Sequence, residues 1–299
     1  MAFVVGGGLV ARATERDAPR RAALLLGTYF GGAGVGIVVS AWMVPQLLAT
    51  WPPGLGWRVV WVALGLVSLA TFLAVVPALR RLGPSISTRS RTSGARGWPL
   101  HALRPLLAAY GAYGLGYIVY MTFVVALLEQ HGARGPAISW FWTVLGGAAI
   151  LSGFLWGGVV GRPPGGRGVT IAMLVVLTGS GLSLWPSTPM AALVSALLFG
   201  SAFLAVVTAV TSVARRNLAP EWWTAALAAL TVVFGVGQSI GPLVAGLIAP
   251  ALGGIRGALL FSTLVLGLAA AIAWTQRDGL PRDSLGEGPS ARPTIREGV

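Results

Sequence analysis

The chain has no cysteine and no lysine, only two histidines, and eight acidic residues among 299. Without cysteine there are no disulfides, thiolate nucleophiles or cysteine-based zinc sites, and His101 and His131 alone do not complete a metal's ligand set. Charge is scarce altogether: 10% of residues are charged, against about 25% in a soluble domain. A water-covered surface cannot be built from so little, and 55% hydrophobic residues with a mean hydropathy of +0.79 place most side chains against lipid or other helices. The charge that exists is one-sided, 21 arginines for a net +13. Nucleic-acid binding would gather those arginines on a polar face with interleaved aromatics. Here they sit between apolar runs, so nucleic acid is excluded as a partner and membrane lipid is the expected surrounding.

A hydrocarbon core about 30 Å thick takes roughly 20 apolar residues of helix. Eight charge-free runs have about that length: Ala22 to Thr50, Val59 to Leu79, Pro105 to Leu128, Ala137 to Gly161, Val169 to Pro186, Pro189 to Ala214, Trp222 to Pro250 and Gly257 to Gln276. A ninth, Ala2 to Ala11, is too short to span alone. Backbone groups in lipid must be paired within the segment, and the alternation of a membrane barrel is absent, so the fold is read as all-α and polytopic. Of the 21 arginines, 18 fall in alternate connections and only Arg58, Arg134 and Arg256 in the others. By the positive-inside rule the 83–100 connection and the C-terminus lie in the cytoplasm. Seven tryptophans, Trp51, Trp57, Trp98, Trp185, Trp222, Trp223 and Trp274, stand near run ends, as an interfacial belt requires. Residues 83–100 read as a polar linker, and 277–299 as a disordered tail.

The two ends of the chain repeat each other. Val10, Ala11 and Arg12 match Val213, Ala214 and Arg215; Ala18 and Pro19 match Ala219 and Pro220; and Leu55 and Gly56 match Leu252 and Gly253, at an offset of about 200 residues. Parallel repeats of this kind build secondary transporters from two six-helix halves. If residues 2–79 pair with 202–276, the first half lacks three helices, roughly 100 residues, and Ala2 to Ala11 is the cut end of a fourth. A signal peptide does not fit that run, because the arginines follow it.

Four stretches then resemble a known group: Gly27 to Pro45, Tyr110 to Phe123, Phe154 to Arg167 and Gly237 to Gly246. Together they make the chain similar to the major facilitator superfamily, in its YbfB/YjiJ-like bacterial branch. The resemblance implies a multi-pass transporter of the bacterial cytoplasmic membrane, with two bundles around a central cavity that opens alternately to either side. It divides the chain into 1–82, the remainder of an N-terminal bundle (part of helix 4, helices 5 and 6); the 83–100 linker; 101–276, a C-terminal six-helix bundle; and the 277–299 tail. It also identifies Gly158, Arg162, Gly165 and Arg167 as the second copy of a cytoplasmic loop motif. Gly161 stands where that motif usually has Asp, so the charge-relay latch of the loop lacks its acid.

Tyr110, Tyr113, Tyr117 and Tyr120 fall on one helical face at spacings of three, four and three. A hydroxyl in hydrocarbon wants a partner, so the stripe either lines an aqueous cavity or bonds to neighbouring helices. By resemblance this is the cavity-lining seventh helix. Ser201, Thr208 and Thr211 on the tenth helix are candidates for the facing wall, or bond back to their own helix. Gln238, beside Ser239, bridges helices or touches substrate. Gly27, Gly31, Gly32 and Gly36, and Gly237, Gly241 and Gly246, make small-xxx-small patterns that let helices approach closely; by resemblance their two helices lie at the bundle interface.

No Asp, Glu, Lys, Arg or His lies inside a complete run, and Glu129 and Glu221 sit at run ends. Nothing at membrane depth supplies a nucleophile, base or metal ligands, so enzyme chemistry, a metal and a cofactor are not expected. The first expectation is secondary transport of a small organic molecule by a chain that is monomeric when complete. The alternative is a truncated, non-transporting membrane fragment with a structural or regulatory role.

Overall fold

A computed structural model describes residues 19–81, 100–156, 159, 160, 162–185, 188–219 and 222–278, with side chains from 31 to 77 and from 102 onward within those ranges. The run Ala2 to Ala11, Gly158, Gly161, Glu221, most of the linker and most of the tail lie outside the described residues. Eight α-helices occur among the described residues: α1 (Pro19–Thr50), α2 (Pro53–Arg81), α3 (Arg104–Gln130), α4 (Gly135–Trp156), α5 (Arg167–Leu182), α6 (Pro189–Asn217), α7 (Trp223–Ile248) and α8 (Ile255–Trp274). Short 3₁₀ turns at Leu100–Leu103 and Ala249–Leu252 precede α3 and α8. No strand occurs among the described residues, and the protein is an all-α, polytopic helical bundle.

The helix ends follow local chemistry. Pro105 and Pro189 open α3 and α6, where a missing N–H costs nothing. The Thr188 hydroxyl caps α6 by accepting the Ala191 N–H at 3.1 Å. Beyond α3, Gly132 adopts φ +83 while its N–H and that of Ala133 return to Glu129 O and Leu128 O, a glycine-terminated helix end. Pro45, Pro77 and Pro242 lie inside helices, as membrane-spanning helices tolerate.

Seven of the eight helices are long and apolar enough to cross a membrane, and α5 is shorter at 16 residues. The expected run from Val169 to Pro186 leaves α-geometry early. Ser183, Leu184 and Trp185 each donate to the carbonyl three residues back, so the segment continues as a tighter, longer-stepped turn.

Around the bundle, α4, α6, α5, α8, α3 and α7 pack in that neighbour order, and α3 touches α6 across the middle. Their shared core holds Tyr113, Tyr120, Phe141, Leu145, Met173, Phe199 and Leu266. Helix α1 packs broadly on α4, and α2 only lightly on α1. Trp61, Leu66 and Phe72 on α2, Leu243 and Leu247 on α7, and Leu264 on α8 point outward, the surface expected against lipid.

Candidate functional site

The tyrosine stripe of α3 divides into buried and accessible members. Tyr113 and Tyr120 are 1% and 0% exposed. Tyr113 donates its hydroxyl proton to Phe203 O on α6 at 2.9 Å. Tyr120 donates to Ser195 Oγ at 2.7 Å, and Ser195 in turn to Gly179 O on α5 at 2.6 Å. The Tyr120 ring stacks on Phe199 with centroids 4.1 Å apart. Both hydroxyls are consumed by helix-to-helix bonds, which is what a buried phenol needs.

Tyr117 differs. It stands at the middle of α3, half-buried, and its oxygen accepts a hydrogen bond from Gln238 Nε2 on α7. Phe234, one turn before Gln238, lies nearly parallel to Tyr117 and Tyr110, at 5.4 and 4.6 Å between centroids. The result is a small aromatic platform with one amide at its edge, partly open and free of charge. Phe234 was not legible as part of it, because no sequence pattern links it to the tyrosines; its membership depends on α7 lying against α3.

The remaining polar candidates bond to their own helices. Ser201 donates to Leu198 O at 2.9 Å, Thr208 to Leu204 O at 3.4 Å, Thr211 to Val207 O at 2.9 Å and Ser239 to Gly235 O at 3.0 Å. Each thereby satisfies its hydroxyl without a partner helix.

The glycines fall at two different seams. A Cβ at Gly237 would meet Gly111 O at 2.3 Å, and one at Gly241 would meet Leu115 O at 2.5 Å. These two bring α7 onto α3, so the tyrosine helix and the glutamine helix touch backbone to backbone. On α1, Gly31 faces Ile150 of α4 and Gly36 faces open space. The tightest point there is Gly34, whose Cβ would sit 2.5 Å from Gly146 O. Gly27 lies in α1. Nearby, Ser139 on α4 donates to Ala41 O at 2.7 Å, and Trp42 Nε1 donates to Thr143 Oγ1 at 2.9 Å.

Two clefts open toward the arginine-poor end. One, of about 490 Å³, lies between α1, α3 and α4 and is bordered by Ser40, Glu129, Arg134 and Trp142. The other, of about 590 Å³, is bordered by His131, Arg134, Trp140 and Thr188. Neither is lined by Tyr117 or Gln238. At the arginine-rich end Arg162 is exposed, Gly165 has φ +58, and the Arg167 guanidinium lies 5.5 Å above the Trp274 ring. No group of three or more His, Asp or Glu residues suited to a metal occurs among the described residues.

Residues 1–274 match a family model described as the uncharacterised MFS-type transporter YbfB. No curated protein and no solved structure matches the chain.

Proposed function

The chain belongs to the YbfB family of major facilitator-type transporters, and from that premise we propose that it moves a small organic molecule across the bacterial cytoplasmic membrane by alternating access. It is a multi-pass membrane protein of a transporter family, not of an enzyme family. In this reading α3 to α8 are one six-helix half, α1 and α2 belong to the other, and the α1–α4 seam is the joint on which the halves rock. The arginine distribution supports a cytoplasmic C-terminus.

The observation that carries the reading is the Gln238–Tyr117 pair. It is a half-buried polar contact between two helices at mid-span, beside the Phe234 ring. Groups of this kind orient a substrate by hydrogen bonding while the aromatic face supplies area. Because the span interiors carry no charge, the substrate class that fits is uncharged or weakly polar.

The test uses the absence of cysteine. Gln238→Cys is placed in right-side-out and in inside-out vesicles and exposed to a membrane-impermeant maleimide. Alternating access requires labelling in both orientations. Labelling in neither makes this position ordinary packing and removes the pair from the transport path.

A further inference from the structure

Three consecutive residues beyond α8 gather the arginine-rich ends of four helices. Gln276, only 4% exposed, accepts the Leu106 N–H on its Oε1 at 3.2 Å and donates from Nε2 to Ala102 O at 2.9 Å and Arg277 O at 2.7 Å. Its backbone oxygen accepts the Gly166 N–H at 2.9 Å. Two residues on, Asp278 Oδ2 accepts the Gly165 N–H at 2.7 Å, and Oδ1 receives Asn217 Nδ2 at 3.5 Å.

Arg216, in the last turn of α6, grips the same place from the other side. Its Nη2 donates to Pro163 O and Gly165 O, each at 3.1 Å, and its Nε lies 3.8 Å from Asp278 Oδ1. Gly165 is thus held at both polar groups by opposite charges, its N–H by the carboxylate and its C=O by the guanidinium. Only glycine fits: φ is +58, and a Cβ would lie 2.4 Å from Gln276 O. The ion pair contributes little, since its side chains are 32% and 41% exposed. The grip resides in the charge-assisted bonds to backbone.

We propose that Asp278 and Arg216 form a two-charge clasp that keeps the turn between α4 and α5 closed over the ends of α6 and α8. Asp278 thereby brings a carboxylate to this turn from beyond α8. That opening of the clasp accompanies opening of the arginine-rich end rests on the alternating-access reading. The clasp itself does not, and the following experiment reads the turn without reading transport.

Val160, in the turn and 1% exposed, is replaced by cysteine in the full chain; Val124→Cys, equally buried on α3, reports on the bundle outside the turn. Each is labelled with a water-soluble maleimide in lipid nanodiscs. Asp278→Asn should speed labelling at position 160 by about tenfold, the factor expected for one charge-assisted hydrogen bond, and leave position 124 unchanged. Asp278→Glu should keep more protection than Asp278→Asn, and Arg216→Gln should behave like Asp278→Asn. Unchanged labelling at 160 in both Asp278→Asn and Asp278→Ala overturns the clasp. An equal rise at 124 also overturns it, because the residue would then support the fold generally.

Discussion

Tyr120 and Ser195 lie on different helices, and their oxygens are 2.7 Å apart at a point with no solvent exposure. Because Ser195 passes its proton on to Gly179 O, two hydrogen bonds tie α3, α6 and α5 together. Tyr120→Phe keeps the stacking on Phe199 and removes one bond. Stability should fall by about 1 kcal/mol, the size of a buried side-chain hydrogen bond in a membrane protein. Thermal unfolding in detergent checks this, and a change in vesicle transport at equal protein would assign Tyr120 a part in the site.

Tyr113 and Tyr117 should separate in the same assay. Tyr113→Ala empties a fully buried position and removes the side-chain bond to Phe203 O, a loss of about 3–5 kcal/mol and of expression level. Tyr117→Ala removes a half-buried ring and should cost clearly less. If the two variants unfold at the same temperature, the division of the stripe into three buried tyrosines and an accessible Tyr117 is wrong.

A side chain at Gly34 should push α1 off α4. Gly34→Val drives its Cβ toward Gly146 O, with overpacking of about 1–3 kcal/mol relieved by separating the helices. Cysteines at Ala41 and Ser139, whose backbone and side chain now meet at 2.7 Å, give the readout. Oxidative cross-linking between them should be quick in the Gly34 background and slow in the valine variant.

Gln276→Leu preserves volume and removes every polar atom of the amide. It leaves the Leu106 N–H and Ala102 O without the partner they have now, so the loss should be about 2 kcal/mol or more. The drop in unfolding temperature should exceed that of Asp278→Asn, whose bonds lie nearer water.

The helices were legible because lipid imposes one rule on every span, a long uncharged run, and 18 arginines between the runs marked the joints. The end of α5 departed from that rule because Ser183 to Trp185 tighten into a turn, which hydropathy does not register. The spacing of the tyrosines was equally plain. Their roles were not, since Tyr113 bonds to a carbonyl 90 residues away, and only the packing of α6 on α3 decides which hydroxyls are spent. Glycine spacing identified surfaces for close approach without naming partners, so Gly237 and Gly241 turn out to face α3, and the tightest contact of α1 falls on Gly34, between the spaced positions. Gln276 and Asp278 had one visible signal, polar residues where an apolar run ends, and that pattern equally describes the start of a loose tail.

Helix α2 combines the highest hydropathy of any span, 2.5 over Pro53–Pro77, with a window only 6% buried. Among the described residues its contacts come mainly from α1, so where the hydrocarbon begins and ends also bears on its orientation, with Trp57 and Arg58 at one margin and Arg80 and Arg81 at the other. A thinner bilayer tilts such a helix before it disturbs the interlocked ones. Within the described structure α2 is thus the span whose tilt depends most on the bilayer and least on packing, and it joins the rest through α1 and, by way of Gly34, α4.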